Sequence, residues 1–161
     1  MRTNKLEITF VYCSFSNPYH CTRLAELMNQ YITDPMGGGE PLTKRQQLHL
    51  VDGLANHPSS FVLFACHSDE IVGLATCFIN FSTFKVRPYI NVHDIVVDTA
   101  YRGKGVGRAI MVHIEEIARE KKYCKVNLEV REDNIAAQAL YKSFGFEDSK
   151  PPMWFWTKAI E

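Results

Sequence analysis

A glycine-rich turn joins an apolar, strand-like segment to an amphipathic, helix-like segment, and it limits what this chain can fold into. The turn reads Arg102-Gly103-Lys104-Gly105-Val106-Gly107 and follows the apolar residues Ile95–Val97. Three glycines leave several backbone N–H groups uncovered, and the first N–H groups of the following helix point the same way. With the charges of Arg102, Lys104 and Arg108 around it, the turn predicts a pyrophosphate site. The plainer alternative is a Gly-rich connection with solvated basic side chains.

Two other phosphate-binding motifs do not fit this turn. A P-loop requires Lys followed by Ser or Thr after its last glycine, whereas Arg108-Ala109 follows Gly107. A dinucleotide-binding fingerprint requires a glycine three residues after Gly105, and position 108 is arginine.

The turn resembles the signature of the GNAT superfamily of acyl-CoA-dependent N-acetyltransferases, Gln/Arg-x-x-Gly-x-Gly/Ala. A second block typical of that family follows as Asn134-x-x-Ala137-x-x-Leu140-Tyr141-x-x-Phe144-Gly145-Phe146. The resemblance covers Ile71 to Glu147, with Thr99 where the family often carries proline. It implies an enzyme that transfers an acetyl group from acetyl-CoA directly to a primary amine. The alternative is a non-catalytic acyl-CoA-binding sensor or scaffold of the same fold.

Length and apolar periodicity predict one α/β domain over residues 1–161 with the element order β-α-α-β-β-β-α-β-α-β. The predicted strands span 6–13, 60–67, 71–81, 89–97, 125–130 and 154–160; the predicted helices span 18–32, 43–56 and 106–121, with a fourth capped by Asp133 or Asn134 and closed by Gly145. The family fold implies a mixed, mostly antiparallel central sheet flanked by helices on both faces. The sheet would splay between the strand ending at Val97 and the strand at 125–130.

Composition excludes several classes of protein. Eighteen basic and eighteen acidic residues give zero net charge, which argues against a dedicated nucleic-acid binder. Five cysteines without CxxC spacing favour neither a metal site nor a complete disulfide framework. No apolar stretch is long enough to span a membrane, and Glu7 stands where a signal peptide needs its apolar core. A cytoplasmic protein is therefore expected.

The resemblance implies which residues bind the cofactor, acetyl-CoA. The pantetheine arm would pair with the strand before the turn, and the pyrophosphate would lie on the turn's amides. The implied residues are Ile95, Val96, Val97, Arg102, Gly103, Lys104, Gly105, Val106, Gly107, Arg108, Asn134 and Tyr141. Asn134 is also a helix cap, and the two roles are compatible.

The same resemblance implies catalytic residues. Tyr141 matches the tyrosine that protonates the CoA sulfur; the alternative is a core aromatic residue. For the base, Glu129 lies in a predicted strand twelve residues before Tyr141, as in ribosomal-protein and peptide N-terminal acetyltransferases. His93 is the rival, because its segment resembles glucosamine-phosphate acetyltransferases and imidazole titrates near neutral pH. Asp94 would orient a neighbouring group.

The acceptor site is expected along the first two helices, their loop and the strands near the splay. The predicted lining is Met36, Glu40, Phe81, Phe84, Tyr89, Asn91, His93 and Asp94. Gly37-Gly38-Gly39 permits positive φ and predicts either a mobile rim or a plain flexible connection. The expected partners are a small-molecule or peptide amine and, as one option for assembly, a second copy in a homodimer; nucleic acid and membrane are not expected.

Overall fold

Alternating apolar residues build a five-stranded sheet in the computed structural model, which describes residues 6–160. In sheet order the strands are β1 (Thr9–Tyr12), β2 (Ser60–His67), β3 (Glu70–Ser82), β4 (Arg87–Val97) and β5 (Val126–Leu128). The helices are α1 (Pro18–Ile32), α2 (Lys44–Asn56), α3 (Val106–Glu120) and α4 (Ile135–Lys142). Neighbours from β1 to β4 are antiparallel, and β4 and β5 are parallel. The predicted mixed, mostly antiparallel sheet is confirmed.

The chain divides into two compact units after Glu129. The first contains the sheet with α1, α2 and α3, and the second contains α4. Residues 1–5, part of the segment used to argue against a signal peptide, lie outside the described residues. No helix within residues 6–160 is both long and apolar enough to cross a membrane.

Strand alternation sends β2 side chains to opposite faces of the sheet, and each face carries its own helices. Val62 and Phe64 pack with Leu24 and Leu27 of α1 and with Leu54 of α2. The intervening residues Leu63 and Ala65 pack on the other face with the apolar stripe of α3, namely Val106, Ile110, Ile114 and Ile117. Helices on both faces, as predicted, are confirmed.

The sheet opens between β4 and β5. The two strands pair only from Ile90 with Val126 to Val92 with Leu128, whereas β4 continues along β3 as far as Val97. Within the described residues, positions 93–97 of β4 therefore have no partner on the β5 side. This is the predicted splay. It also corrects a prediction, because β5 ends at Leu128 and Glu129 lies just past the strand.

A β-bulge interrupts the pairing of β3 with β4. Thr76 lies opposite Asp94, but the next residue of β3, Cys77, lies opposite Val92. His93 is therefore the extra residue on β4, and such an insertion places two successive side chains on one side of a strand.

The predicted terminal strand at residues 154–160 is wrong, since these residues have no regular secondary structure. Trp154 and Trp156 are 85% and 86% exposed. Aromatic residues favour strands only where neighbouring strands and a packed face support them, and no described residue forms a ladder with this segment. The first strand is likewise shorter than predicted, Thr9–Tyr12 instead of residues 6–13.

Candidate functional site

The glycine turn connects β4 to α3 through two residues with left-handed backbone. After β4 the chain forms a short 3-10 helix, Thr99–Tyr101, and then Gly103 and Gly105 take φ values of 73° and 87°. Because a residue with a Cβ is strained in this conformation, glycine fits both positions. Around each glycine the space that a Cβ would occupy holds no other atom within 4 Å.

The N-terminus of α3 is not closed by a side chain. Asn17, Thr43 and Asn134 each accept a backbone N–H at the start of α1, α2 and α4. Of the four helices in residues 6–160, α3 alone begins without a side-chain cap, at Gly105. Its first amides and the positive end of its dipole are therefore available to an anion.

Asp98 fixes the start of the turn. Its carboxylate accepts hydrogen bonds from the guanidinium of Arg23, from the Gln30 amide at 3.3 Å and from the Ala100 backbone N–H at 3.0 Å. Arg23 also donates to the carbonyl of Ile71 at 2.9 Å. Burial alone would raise the pKa of Asp98, but Arg23, the Ala100 amide and Gln30 outweigh it and hold the pKa below its usual range.

The basic side chains of the turn do not share one environment. Arg102 donates from Nε to the carbonyl of Val97 at 3.2 Å and from Nη1 to the carboxylate of Asp34 at 2.7 Å. Lys104 instead lies over the Tyr101 ring, with Nζ 5.1 Å from the centroid. Lys104 is therefore the better placed of the two to offer positive charge to a phosphate.

A second group of predicted residues meets at the bulge, on the α1 and α2 side of the sheet. The ring of His93 contacts Phe78 edge-on at 5.5 Å, and Phe78 packs against the cluster that contains α1 and α2. Burial raises the pKa of the Asp94 carboxyl, and the neighbouring His93 offsets part of this effect. Opposite Asp94, the buried hydroxyl of Thr76 also acts to lower the pKa of that carboxyl.

The two rival bases, His93 and Glu129, lie just beyond the parallel pairing of β4 with β5. Asn91 lies opposite Asn127, and Nδ2 of Asn91 is 3.3 Å from Oδ1 of Asn127. His93 lies two positions after Asn91, and Glu129 lies two positions after Asn127. Both candidate bases thus follow the last register pairs of β4 and β5, at the point where the two strands part. Tyr89 is on the same side of β4. Its ring lies under the ammonium group of Lys125, with Nζ 4.5 Å from the ring centroid.

Other predicted acceptor residues lie apart from this group. Phe81 shares the sheet face of Cys77, which packs towards α3, so it lies on the opposite side from Phe78. Phe84 is in the β3–β4 turn and is 97% exposed. Met36 and Glu40 are in the loop between α1 and α2, where the amide of Met36 donates to Asp34.

Asn134 and Tyr141 belong to the second unit. Asn134 caps α4 by accepting the N–H of Ala137 at 3.1 Å, as the sequence predicts. The Tyr141 ring is 6.0 Å from that of Phe146, which follows the left-handed Gly145.

The Acetyltransferase (GNAT) family model matches residues 24–146, about three quarters of the chain. The chain belongs to this family. The match includes the glycine turn, the bulge and α4.

Individual relatives support the same assignment. The N-alpha-acetyltransferase RimI of Mycobacterium tuberculosis is 50% identical over 56 residues, which are 35% of this chain and 34% of RimI. The thialysine N-epsilon-acetyltransferase of Bos taurus is 36% identical over 78 residues, 48% of this chain and 45% of that protein. The chain thus spans less than half the length of these GNAT relatives.

Solved structures share the fold. An aminoglycoside acetyltransferase from an uncultured soil metagenomic sample, in complex with sisomicin, superposes with a TM-score of 0.78 at 16% identity. The alignment covers 96% of this chain and 97% of that one.

Several residues of the site had no signal in the sequence. Arg23 and Asp98 are 75 positions apart, and Arg102 and Asp34 are 68 apart, so no local pattern links either pair. The bulge at His93 interrupts β4 between the apolar residues Ile90 and Val92 and the apolar run Ile95 to Val97, and no local pattern marks it. By contrast, the side-chain caps of α1, α2 and α4 and the glycine turn could be predicted from local sequence.

We expect Asp98→Asn to lower the stability of the fold by about 3 kcal/mol at neutral pH, since it breaks a largely buried ion pair with Arg23. The pKa of Asp98 is lower in the folded than in the unfolded chain. Its stabilisation is therefore complete above the ordinary aspartate pKa of about 3.9 and is lost as pH falls through the lowered value. Urea unfolding between neutral and acid pH measures both effects.

The matched control is Glu115→Gln, which removes the exposed pair of Glu115 with Arg119 on α3. We expect it to cost less than about 1 kcal/mol. Equal losses in the two variants, or an unchanged acid limb in Asp98→Asn, would contradict the anchoring role of Asp98.

Proposed function

We propose that this chain is an N-acetyltransferase that transfers an acetyl group from acetyl-CoA directly to a primary amine. The observation that carries the proposal is the uncapped N-terminus of α3 behind two left-handed glycines, in a chain of the GNAT family. The residues present fit the cofactor, because a pyrophosphate is bound well by exposed amides at a helix N-terminus. When bound, acetyl-CoA supplies an activated thioester.

The amides of Gly103 to Gly107 and the side chains of Lys104 and Arg108 would hold the pyrophosphate. The opening beside β4 would receive the pantetheine arm, because positions 95–97 have no β5 partner among the described residues. An arm with its own amides can pair there as a strand would, with Ile95 to Val97 as its partners. The match of Asn134 to the family's second block supports a role for it in cofactor binding, and this role is compatible with its capping of α4.

The acceptor amine would lie on the sheet face that presents His93, Asp94 and Asn91. In the transfer step a bond forms between the amine nitrogen and the acetyl carbon, and the carbon–sulfur bond breaks. The amine gives its proton to Glu129 or His93, directly or through water, and the departing thiolate takes a proton from the Tyr141 hydroxyl. Both residues lie two positions after the paired residues Asn91 and Asn127, and this supports either Glu129 or His93 as the base. We favour Glu129, because its spacing to Tyr141 is the more specific match to the family.

The acceptor class is a small-molecule or peptide amine. Relatives named as N-alpha- and N-epsilon-acetyltransferases support an amine acceptor, since segments of both are similar to this chain. The exposed imidazole of His93 at the bulge supports a polar acceptor rather than an apolar one.

A screen of amines with acetyl-CoA distinguishes an acetyltransferase from a protein that only binds the cofactor. We expect free thiol to be released only with an acceptor amine present, because the amine is the second substrate. Ellman's reagent measures the release, and mass spectrometry of the amine detects the added acetyl group. Binding of CoA by calorimetry without any turnover, across small amines and peptide N-termini, would favour the sensor or scaffold alternative.

We expect Gly105→Glu to abolish CoA binding. A carboxylate at the start of α3 would repel phosphate and occupy the space of its close approach. Isothermal titration with CoA measures the effect, and circular dichroism checks the fold.

Two control variants separate the causes. Gly105→Ala adds the backbone strain without the charge, so we expect a smaller loss of CoA affinity. Gly53→Glu adds the same charge to α2, where a Cβ has open space and φ is not positive, and we expect unchanged affinity. Normal CoA affinity in Gly105→Glu would remove the main support for this proposal.

We expect kinetic measurements on single variants to distinguish the acid from the base. Tyr141→Phe keeps the ring and removes the hydroxyl, so kcat should fall by about 10²–10⁴-fold while CoA affinity changes little. If Glu129 is the base, Glu129→Gln removes the acidic limb of the pH–rate profile and His93→Gln leaves it. If His93 is the base, the results are reversed.

The control for these variants is Tyr19→Phe, which also removes one tyrosine hydroxyl. Tyr19 is on α1, where its hydroxyl accepts the backbone N–H of Ile71, and it is not among the proposed proton-transfer groups. Full activity in Tyr141→Phe would overturn the role of Tyr141. An unchanged profile in both base variants would show that neither side chain is the base.

A further inference from the structure

We propose that the Asp34–Arg102 ion pair fastens the loop between α1 and α2 to the glycine turn, so that Arg102 positions the acceptor side of the site instead of binding phosphate. The acceptor part of this inference rests on the proposed function. The fastening itself rests only on contacts within the first unit.

The loop is organised around Asp34. Its carboxylate Oδ1 accepts the N–H of Met36 at 2.9 Å, and its backbone carbonyl accepts the N–H groups of Gly37 and Gly38, both at 2.8 Å. Gly39 donates to the carbonyl of Ile32 at 2.8 Å. Four successive amides are thus bound within the loop, which a plain flexible connection does not require.

Close backbone contact gives the loop one shape. A Cβ on Gly37 would lie 2.0 Å from the carbonyl oxygen of Tyr31 and 2.7 Å from that of Ile32. No real Cβ tolerates such distances, so only glycine permits the chain to pass the end of α1 this closely. The loop therefore has a defined surface that Arg102 can hold.

Arg102 is oriented by two acceptors on different elements. Nε donates to the last carbonyl of β4, Val97, and Nη1 donates to the second carboxylate oxygen of Asp34. The carboxylate side chain is only 18% exposed, so solvent screens this pair less than it would a fully exposed one. The Met36 amide and Arg102 both lower the pKa of Asp34, so the carboxylate stays charged at neutral pH.

This pairing changes what Arg102 can offer a phosphate. The negative charge of Asp34 offsets that of the guanidinium, and the fork of Arg102 is aimed at the loop and at β4. Lys104, whose Nζ lies over the Tyr101 ring, stays the better phosphate cation. The loop joins the two helices that cover the sheet face of His93, so its position would shape the space for the acceptor.

The test combines hydrogen exchange with kinetics. Asp34→Asn keeps an oxygen for the Met36 amide and removes the charge, and Arg102→Gln removes the guanidinium. In both variants we expect the amides of Gly37 to Gly39 to exchange about two- to fivefold faster, the range set by one partly exposed ion pair. CoA affinity by calorimetry should change by less than about twofold, because the amides of the turn and Lys104 still contact phosphate.

Three further variants make the result specific. Arg102→Lys keeps a cation for Asp34 and should retain most of the loop protection. Lys104→Gln should weaken CoA binding and leave the loop exchange unchanged. Arg119→Gln removes the guanidinium of an exposed pair on α3 and should change neither quantity.

With an acceptor identified, Asp34→Asn and Arg102→Gln should raise the KM for the acceptor while kcat and the KM for acetyl-CoA stay near those of the wild type. Unchanged loop exchange, or a loss of CoA affinity in Arg102→Gln as large as in Lys104→Gln, would overturn the proposal. If the wild-type chain transfers no acetyl group, the proposed function fails, yet the exchange and calorimetry still decide whether the ion pair fastens the loop.

Discussion

The carboxylate of Asp98 holds the candidate site together, because the end of β4, the glycine turn and α1 all depend on where it lies. It is only 9% exposed, and it is balanced by Arg23, whose guanidinium also binds the carbonyl of Ile71. A buried charge is tolerated only when its partners satisfy it. The turn is thereby set at a fixed place, and α3 begins from that place with its amides uncovered.

Two irregularities of the sheet complete the site. Since β5 pairs with β4 only as far as Leu128, the second half of β4 keeps one edge without a strand partner among the described residues. The bulge at His93 then turns two neighbouring side chains to the same face. An edge that can receive an extended arm thus lies beside polar groups that can receive an amine. Family membership gives this arrangement its interpretation as a site for acetyl transfer.

The helices and their ends were predictable from local sequence. Asn17-Pro18, Thr43 and Asn134 cap their helices where the sequence predicts, because a cap needs only the residues within one turn. The glycine turn was predictable for the same reason. The terminal strand was not, because Trp154 and its neighbours have strand-forming side chains, and a strand also requires a partner that local sequence does not specify.

The sequence by itself therefore determined the family, the order of the main elements and the glycine turn before α3, all of which depend on neighbouring residues. Only the tertiary structure decided that Arg102 meets Asp34, that Arg23 meets Asp98, and that His93 and Glu129 follow the same register pair. The two ion pairs and the strand pairing that precedes His93 and Glu129 join residues 36 to 75 positions apart. They form because strand pairing and helix packing bring distant segments together, and a change of one residue in register would send the same side chains to the other face.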